Sequence, residues 1–125
     1  VLLKQGQLED ATVHLQMAIG LCDQSIPAAA GAFRGALALT CAQQGRQKEA
    51  LSLLSEGEPL VTSMPLEYGK FLCKKAHVYL LADDRVNAES ALQQAQRIAQ
   101  KISAKPESVL DVGIQELVSL LHPKG

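Results

Sequence analysis

Lys70, Lys74 and Lys75, with His77 next to them in the sequence, form the basic group with the most chemical promise in this 125-residue chain. A spacing of four residues puts Lys70 and Lys74 on one face if the segment is helical. Two ammonium groups beside an imidazole can attract a carboxylate or another anion, but they supply no nucleophile–base pair. The other titratable groups offer less. His14 and His122 lie on other segments, and no histidine has a carboxylate at a spacing suited to proton transfer. Cys22, Cys41 and Cys73 match no zinc or redox motif, and an odd number leaves one thiol unpaired. Their apolar neighbours predict three reduced, mostly buried side chains, as in a reducing cytoplasm. Asp83-Asp84 reads as a turn followed by a helix N-cap. Glu9-Asp10 and Glu49 fall in first helical turns, where acids complement the helix dipole. A glycine-rich phosphate loop is absent from the sequence. Enzymatic activity, a cofactor and a metal are therefore not expected.

The elements that position these residues follow from composition and spacing. Apolar residues make up 47% of the chain and aromatics only 3%, with no Trp. A core built from Leu, Ala, Val and Ile favours helices over sheets. The net charge of -1 gives no bulk field for nucleic acid or an anionic membrane, and neither is expected as a partner. No apolar run approaches the roughly 18 residues that span a bilayer, and the N-terminus lacks a signal-peptide pattern. A cytoplasmic location is expected.

An internal repeat orders the chain. Gly6, Gly45 and Asp83 stand 39 and 38 residues apart. Five residues after each comes Ala11, Ala50 or Ala88; nine after comes Leu15, Leu54 or Leu92; twelve after comes Ala18, Gly57 or Ala95. The first position suits a left-handed helix end, and the next three lie on one face of the helix that follows. Small, large and small side chains in a stripe let two antiparallel helices approach closely. The pattern predicts helices over about 8–22, 27–44, 47–57, 65–82, 85–102 and 107–122, with residues 1–5 ending an earlier one. Gly57 is expected to close the fourth segment's predecessor, with a loop from Pro59 to Ser63. Pro27 and Pro65 open helices, and Ser108 with Asp111 forms a capping pair. The last helix is expected to cover the end of the array, while the N-terminal end keeps an exposed apolar face.

This repeat resembles the tetratricopeptide family, through the three series above and through Leu37-Ala38, Cys41, Ala76 and Tyr79 in the preceding helices. The likeness runs from about Gly6 to Ile102. It departs from the family where Arg34 and Leu72 replace an expected aromatic, and where the period exceeds about 34 residues. The longer form is similar to repeats of bacterial signalling and regulatory proteins. The resemblance implies an all-α, right-handed solenoid of stacked antiparallel helix hairpins. It divides into a partial first repeat (1–26), a second (27–64), a third (65–104) and a capping helix (105–125). It further implies a protein–protein interaction scaffold, expected as the C-terminal part of a longer chain, with a protein or peptide partner in a groove. Contacts are expected from Arg34, Lys70, Lys74 and His77, with Tyr68 and Phe71 flanking the lysines. Lys70 and Lys74 match basic positions of a subgroup that grips a partner's C-terminal carboxylate, although Ala36 stands where that subgroup has Asn. A small tetratricopeptide-type secretion chaperone is the alternative, and self-association through the uncapped N-terminal end is a further expectation.

Overall fold

The computed structural model describes residues 5–22 and 26–122. Among these the chain forms six α-helices and no strand: α1 (Gln5–Cys22), α2 (Pro27–Gln43), α3 (Gln47–Val61), α4 (Pro65–Leu81), α5 (Arg85–Lys101) and α6 (Val109–Leu121). Each helix packs on the next along the chain, and α4 also packs on both α2 and α6.

Three of the turns are built alike. The amide of Arg46 donates to the carbonyl of Cys41 (2.8 Å), that of Asp84 to Tyr79 (2.9 Å) and that of Ala104 to Ala99 (2.9 Å). These six-residue closures satisfy helix-end carbonyls and require a left-handed residue just before the donor amide. Gly45 (φ 81°), Asp83 (φ 61°) and Ser103 (φ 53°) supply it. Asp84 then caps α5 through its side chain, accepting from the Asn87 amide (3.2 Å). Ser108 caps α6 by accepting from Asp111 (3.2 Å), and the Asp111 carboxylate accepts in return from the Glu107 amide (2.9 Å). Pro27 and Pro65 stand in the first turns of α2 and α4.

Two expectations about helix ends need correction. Gly6 is not a turn, because α1 begins at Gln5 and runs through it. The expected helix end over residues 1–5 otherwise lies outside the described residues, as does the closing segment Asp23-Gln24-Ser25. The helix α3 also does not stop near Gly57, but continues through Pro59 to Val61. The ring of Pro59 removes one amide donor, which would have bonded the Ser55 carbonyl. Both residues are exposed, so that carbonyl can turn to water. Packing holds the final turn, with Gly57 and Val61 buried against α2.

The small residues do the work expected of them in the pairs α2–α3 and α4–α5. A Cβ added at Gly31 would lie 2.8 Å from the Gly57 carbonyl oxygen and 2.8 Å from Val61 Cγ1. The start of α2 therefore touches the end of α3, and the pair runs antiparallel. Gly69 at the start of α4 similarly faces Ile98 near the end of α5, along with Leu110 of α6. Ala50, Leu54, Ala88, Leu92 and Ala95 are all buried. In α1 the matching Ala11, Leu15 and Ala18 are only half-buried, while Leu8, Thr12 and Ile19 are buried on the side packed against α2.

The core has two clusters that meet at α4. One joins Leu37, Ala38, Cys41, Ala50, Leu54 and Val61 to Phe71 and Val78 of α4. The other joins Leu72 and Ala76 of α4 to Leu92, Leu110, Leu117 and Leu121. Polar links reinforce the α3–α4 boundary. Glu58 accepts from both the Tyr68 hydroxyl (2.8 Å) and Lys75 Nζ (2.7 Å). Gln47 Nε2 donates to the Val78 carbonyl (3.2 Å). At the far end, Arg85 donates to the Leu121 carbonyl, and His122 Nε2 lies 2.7 Å from Glu89 Oε1. The described part of α1 leaves Val13, Met17 and Leu21 at least half exposed, an apolar stripe at the N-terminal end.

Candidate functional site: a cationic cleft over α4

Residues 70, 73, 74 and 77 recur at helical spacing and turn one face of α4 outward between α2 and α6. Lys70, Cys73, Lys74 and His77 line a cleft of about 160 Å³, walled by Leu39 of α2 and by Val109, Gly113, Glu116 and Leu117 of α6. Gly113 allows the close wall: a Cβ there would sit 3.4 Å from Cys73 Sγ. The cleft adjoins a wider depression of about 710 Å³ that shares His77 and Glu116 and reaches Gln43, Val112 and Leu120.

The two lysines differ in their bonding. Lys70 Nζ lies 2.8 Å from Glu67 Oε1, one turn back on the same helix. Lys74 has no ion pair or hydrogen bond among the described residues. Its burial, followed by the repulsion of Lys70, holds its ammonium below the usual lysine range. Burial likewise lowers His77, which favours its neutral imidazole. The Cys73 thiol is pushed up to about 11, chiefly by burial, and so stays protonated near neutral pH.

Lys70 and Lys74 thus share a face as their spacing predicts, and His77 lines the same cleft. Arg34 is not with them. Its side chain turns toward α3, where Nε lies 3.8 Å from Glu56 Oε2 and its Cβ borders Gly57. Five residues separate Arg34 from Leu39, which rotates the two to different faces of α2. Nor do the aromatics frame the lysines. Phe71 is buried over Gly35 and Gly57, and Tyr68 is half-buried with its hydroxyl on Glu58. Sequence reading missed Leu39, Val109, Glu116 and Leu120. The signal available for α6 was its surplus of apolar residues: Val109, Val112 and Leu120 remain exposed beside its buried stripe of Leu110, Ile114, Leu117 and Leu121.

No cluster of His, Cys, Asp or Glu suited to a metal ion occurs among the described residues. Cys41 is buried and Cys73 half-buried, each as a free thiol, while the Cys22 side chain lies outside the described residues. Among the described residues no helix is long and apolar enough to cross a membrane. Compared with protein-family models, curated proteins and solved structures, the chain matches none.

Proposed function

We propose that the chain is an interaction module that holds a partner peptide or helix in the cleft over α4. The observation that carries this reading is Lys74, a half-buried ammonium with no ion pair or hydrogen bond among the described residues, beside Leu39, Val109 and Leu117. A buried charge without a partner is costly, and a bound carboxylate would relieve it. The cleft joins this cation to exposed apolar side chains, which is the mixture that protein partners use.

In this reading α2–α3 and α4–α5 are successive hairpins of a tetratricopeptide-like stack, and α6 caps it. The 38-residue spacing of Gly45 and Asp83, with the same turn closure at each, supports the repeat. So does the packing of α4 on both α2 and α6, which sets one helix of each unit beside the next. A scaffold role within a bacterial signalling or regulatory protein rests on the sequence resemblance.

The test is selection of binders from a random peptide library, followed by NMR mapping on labelled protein. Shifts concentrated on Leu39, Lys74, His77 and Glu116 are the expected result. Replacing Lys70→Glu together with Lys74→Glu should abolish that binding while the helical circular dichroism is kept. Binders that map to another face, or that ignore the double replacement, would remove the cleft from the function.

A further inference from the structure

Resting on the cleft as the binding site, we infer that its occupant is an amphipathic helix carrying two internal carboxylates one turn apart, with apolar residues on the side that meets α2. The argument begins with charge. The floor of the cleft presents Lys70 and Lys74 four residues apart on one helix face. Carboxylates at the same spacing on an opposing helix repeat at the same distance, so both lysines can be met at once without distortion. Lys74 has no ion pair or hydrogen bond among the described residues to give up. The other must share or release Glu67, its present partner at 2.8 Å.

The flanks decide what surrounds those acids. On the α2 side, Leu39 lines the cleft, and Ala36 and Ala32 precede it by one and two turns on the same face. That stretch of the wall is aliphatic, and Gln43, one turn after Leu39, adds an amide at the adjoining depression. On the α6 side, Val109 is 76% exposed at the cleft and Leu120 is 50% exposed at the adjoining depression. These stand among Glu107, Asp111 and Glu116, so the α6 margin is mixed, and an acidic centre matches the surface over the lysines with its apolar side toward Leu39. A segment with basic residues at its centre would place like charges over Lys74, which is strongly unfavourable in a partly desolvated site. Glu116 stands on the α6 wall, with Glu107 and Asp111 at the adjoining depression, so a cation is tolerated only toward that margin.

The test uses one synthetic helix in three versions, each acetylated and C-terminally amidated so that no chain-end charge contributes. A central pair at i and i+4 is Glu in the first, Gln in the second and Lys in the third, with leucines along one side. Calorimetric titration should rank them Glu, Gln, Lys, with about tenfold between the first two, because charge-assisted hydrogen bonds exceed neutral ones. The Glu peptide's advantage should shrink as salt is raised. Lys74→Met, which keeps the aliphatic stem, should erase most of that advantage. Lys70→Met should erase less, and Glu67→Gln should increase it by freeing Lys70. Equal binding of the Glu and Gln peptides, or preference for the Lys peptide, overturns the acidic occupant while leaving the cleft as a binding site. Absence of binding by all three overturns both readings. If Lys74→Met fails to fold, the ranking of the three peptides on the unaltered protein still decides.

Discussion

Three single residues fix where the chain reverses, and they do so at unequal cost. Gly45 adopts φ 81° without strain, whereas Asp83 and Ser103 hold φ 61° and 53° with a side chain attached. Gly45→Ala is therefore expected to destabilise the protein by about 1–2 kcal/mol, and Asp83→Gly to be neutral or stabilising. Urea titrations of the two variants check this, and a larger loss for Asp83→Gly would contradict it. Gly45 and Asp83 were legible because glycine and aspartate are turn formers at a fixed interval. Ser103 was not, because serine carries little preference for the left-handed region. Cys73 gives a second prediction at this scale. Its burial retains the proton in the folded protein, so the stabilisation is complete below about pH 9 and is lost as pH rises through about 11. At pH 8 the folded thiol should react with iodoacetamide about a hundredfold more slowly than the same cysteine in urea. Mass spectrometry of the Cys73 peptide measures the rate, and equal rates would show the thiol to be neither desolvated nor shielded.

Helices were read with little error where apolar spacing and end signals agreed. Pro27, Pro65, Asp84 and Ser108 all stand at the starts the sequence assigns them. The errors came where a local rule met a tertiary contact. Gly57 and Pro59 predict a helix end, yet Gly57 is the residue that lets α3 cross α2 at Gly31. The energy of that crossing is long-range and cannot be read from Pro59's neighbours. The candidate site was half legible for the same reason: one helix face is a matter of spacing, while the walls from α2 and α6 depend on how helices pair. Glycine replacement separates local from tertiary effects. Gly20, on the open side of α1, has nothing within 4 Å of an added Cβ. Gly20→Ala should stabilise by up to about 1 kcal/mol through helix propensity alone. Gly31→Ala gains the same propensity but drives Cβ into the backbone of Gly57. Overpacking of about 1–3 kcal/mol should outweigh it. Thermal unfolding should move the two midpoints in opposite directions, and stabilisation by Gly31→Ala would show that the α2–α3 crossing can widen freely.

At the scale of the whole molecule, α4 carries the cooperativity. Its Phe71 and Val78 belong to the core shared with α1–α3, and its Leu72 and Ala76 to the core shared with α5 and α6. The half-buried Tyr68 borders both. Units joined only to their neighbours lose cooperative unfolding when one interface is weakened enough. Phe71 is the largest contact across the first interface, and its ring lies against Gly35 and Gly57, which have no side chains to fill its place. Phe71→Ala should therefore leave most of its cavity open and cost about 3–5 kcal/mol. That loss falls on α1–α3, because Leu72 and Ala76 still bury the opposite face of α4. Hydrogen exchange read by mass spectrometry should show α2 and α3 opening first while α4–α6 stay protected. Leu92→Ala, within the second core, is expected to cost about 2–5 kcal/mol and to reverse the order. Uniform loss of protection in both variants would mean that the two cores open as one unit. The cleft over α4 would then feel a partner through the entire fold, whereas separable cores confine that effect to the helices the partner touches.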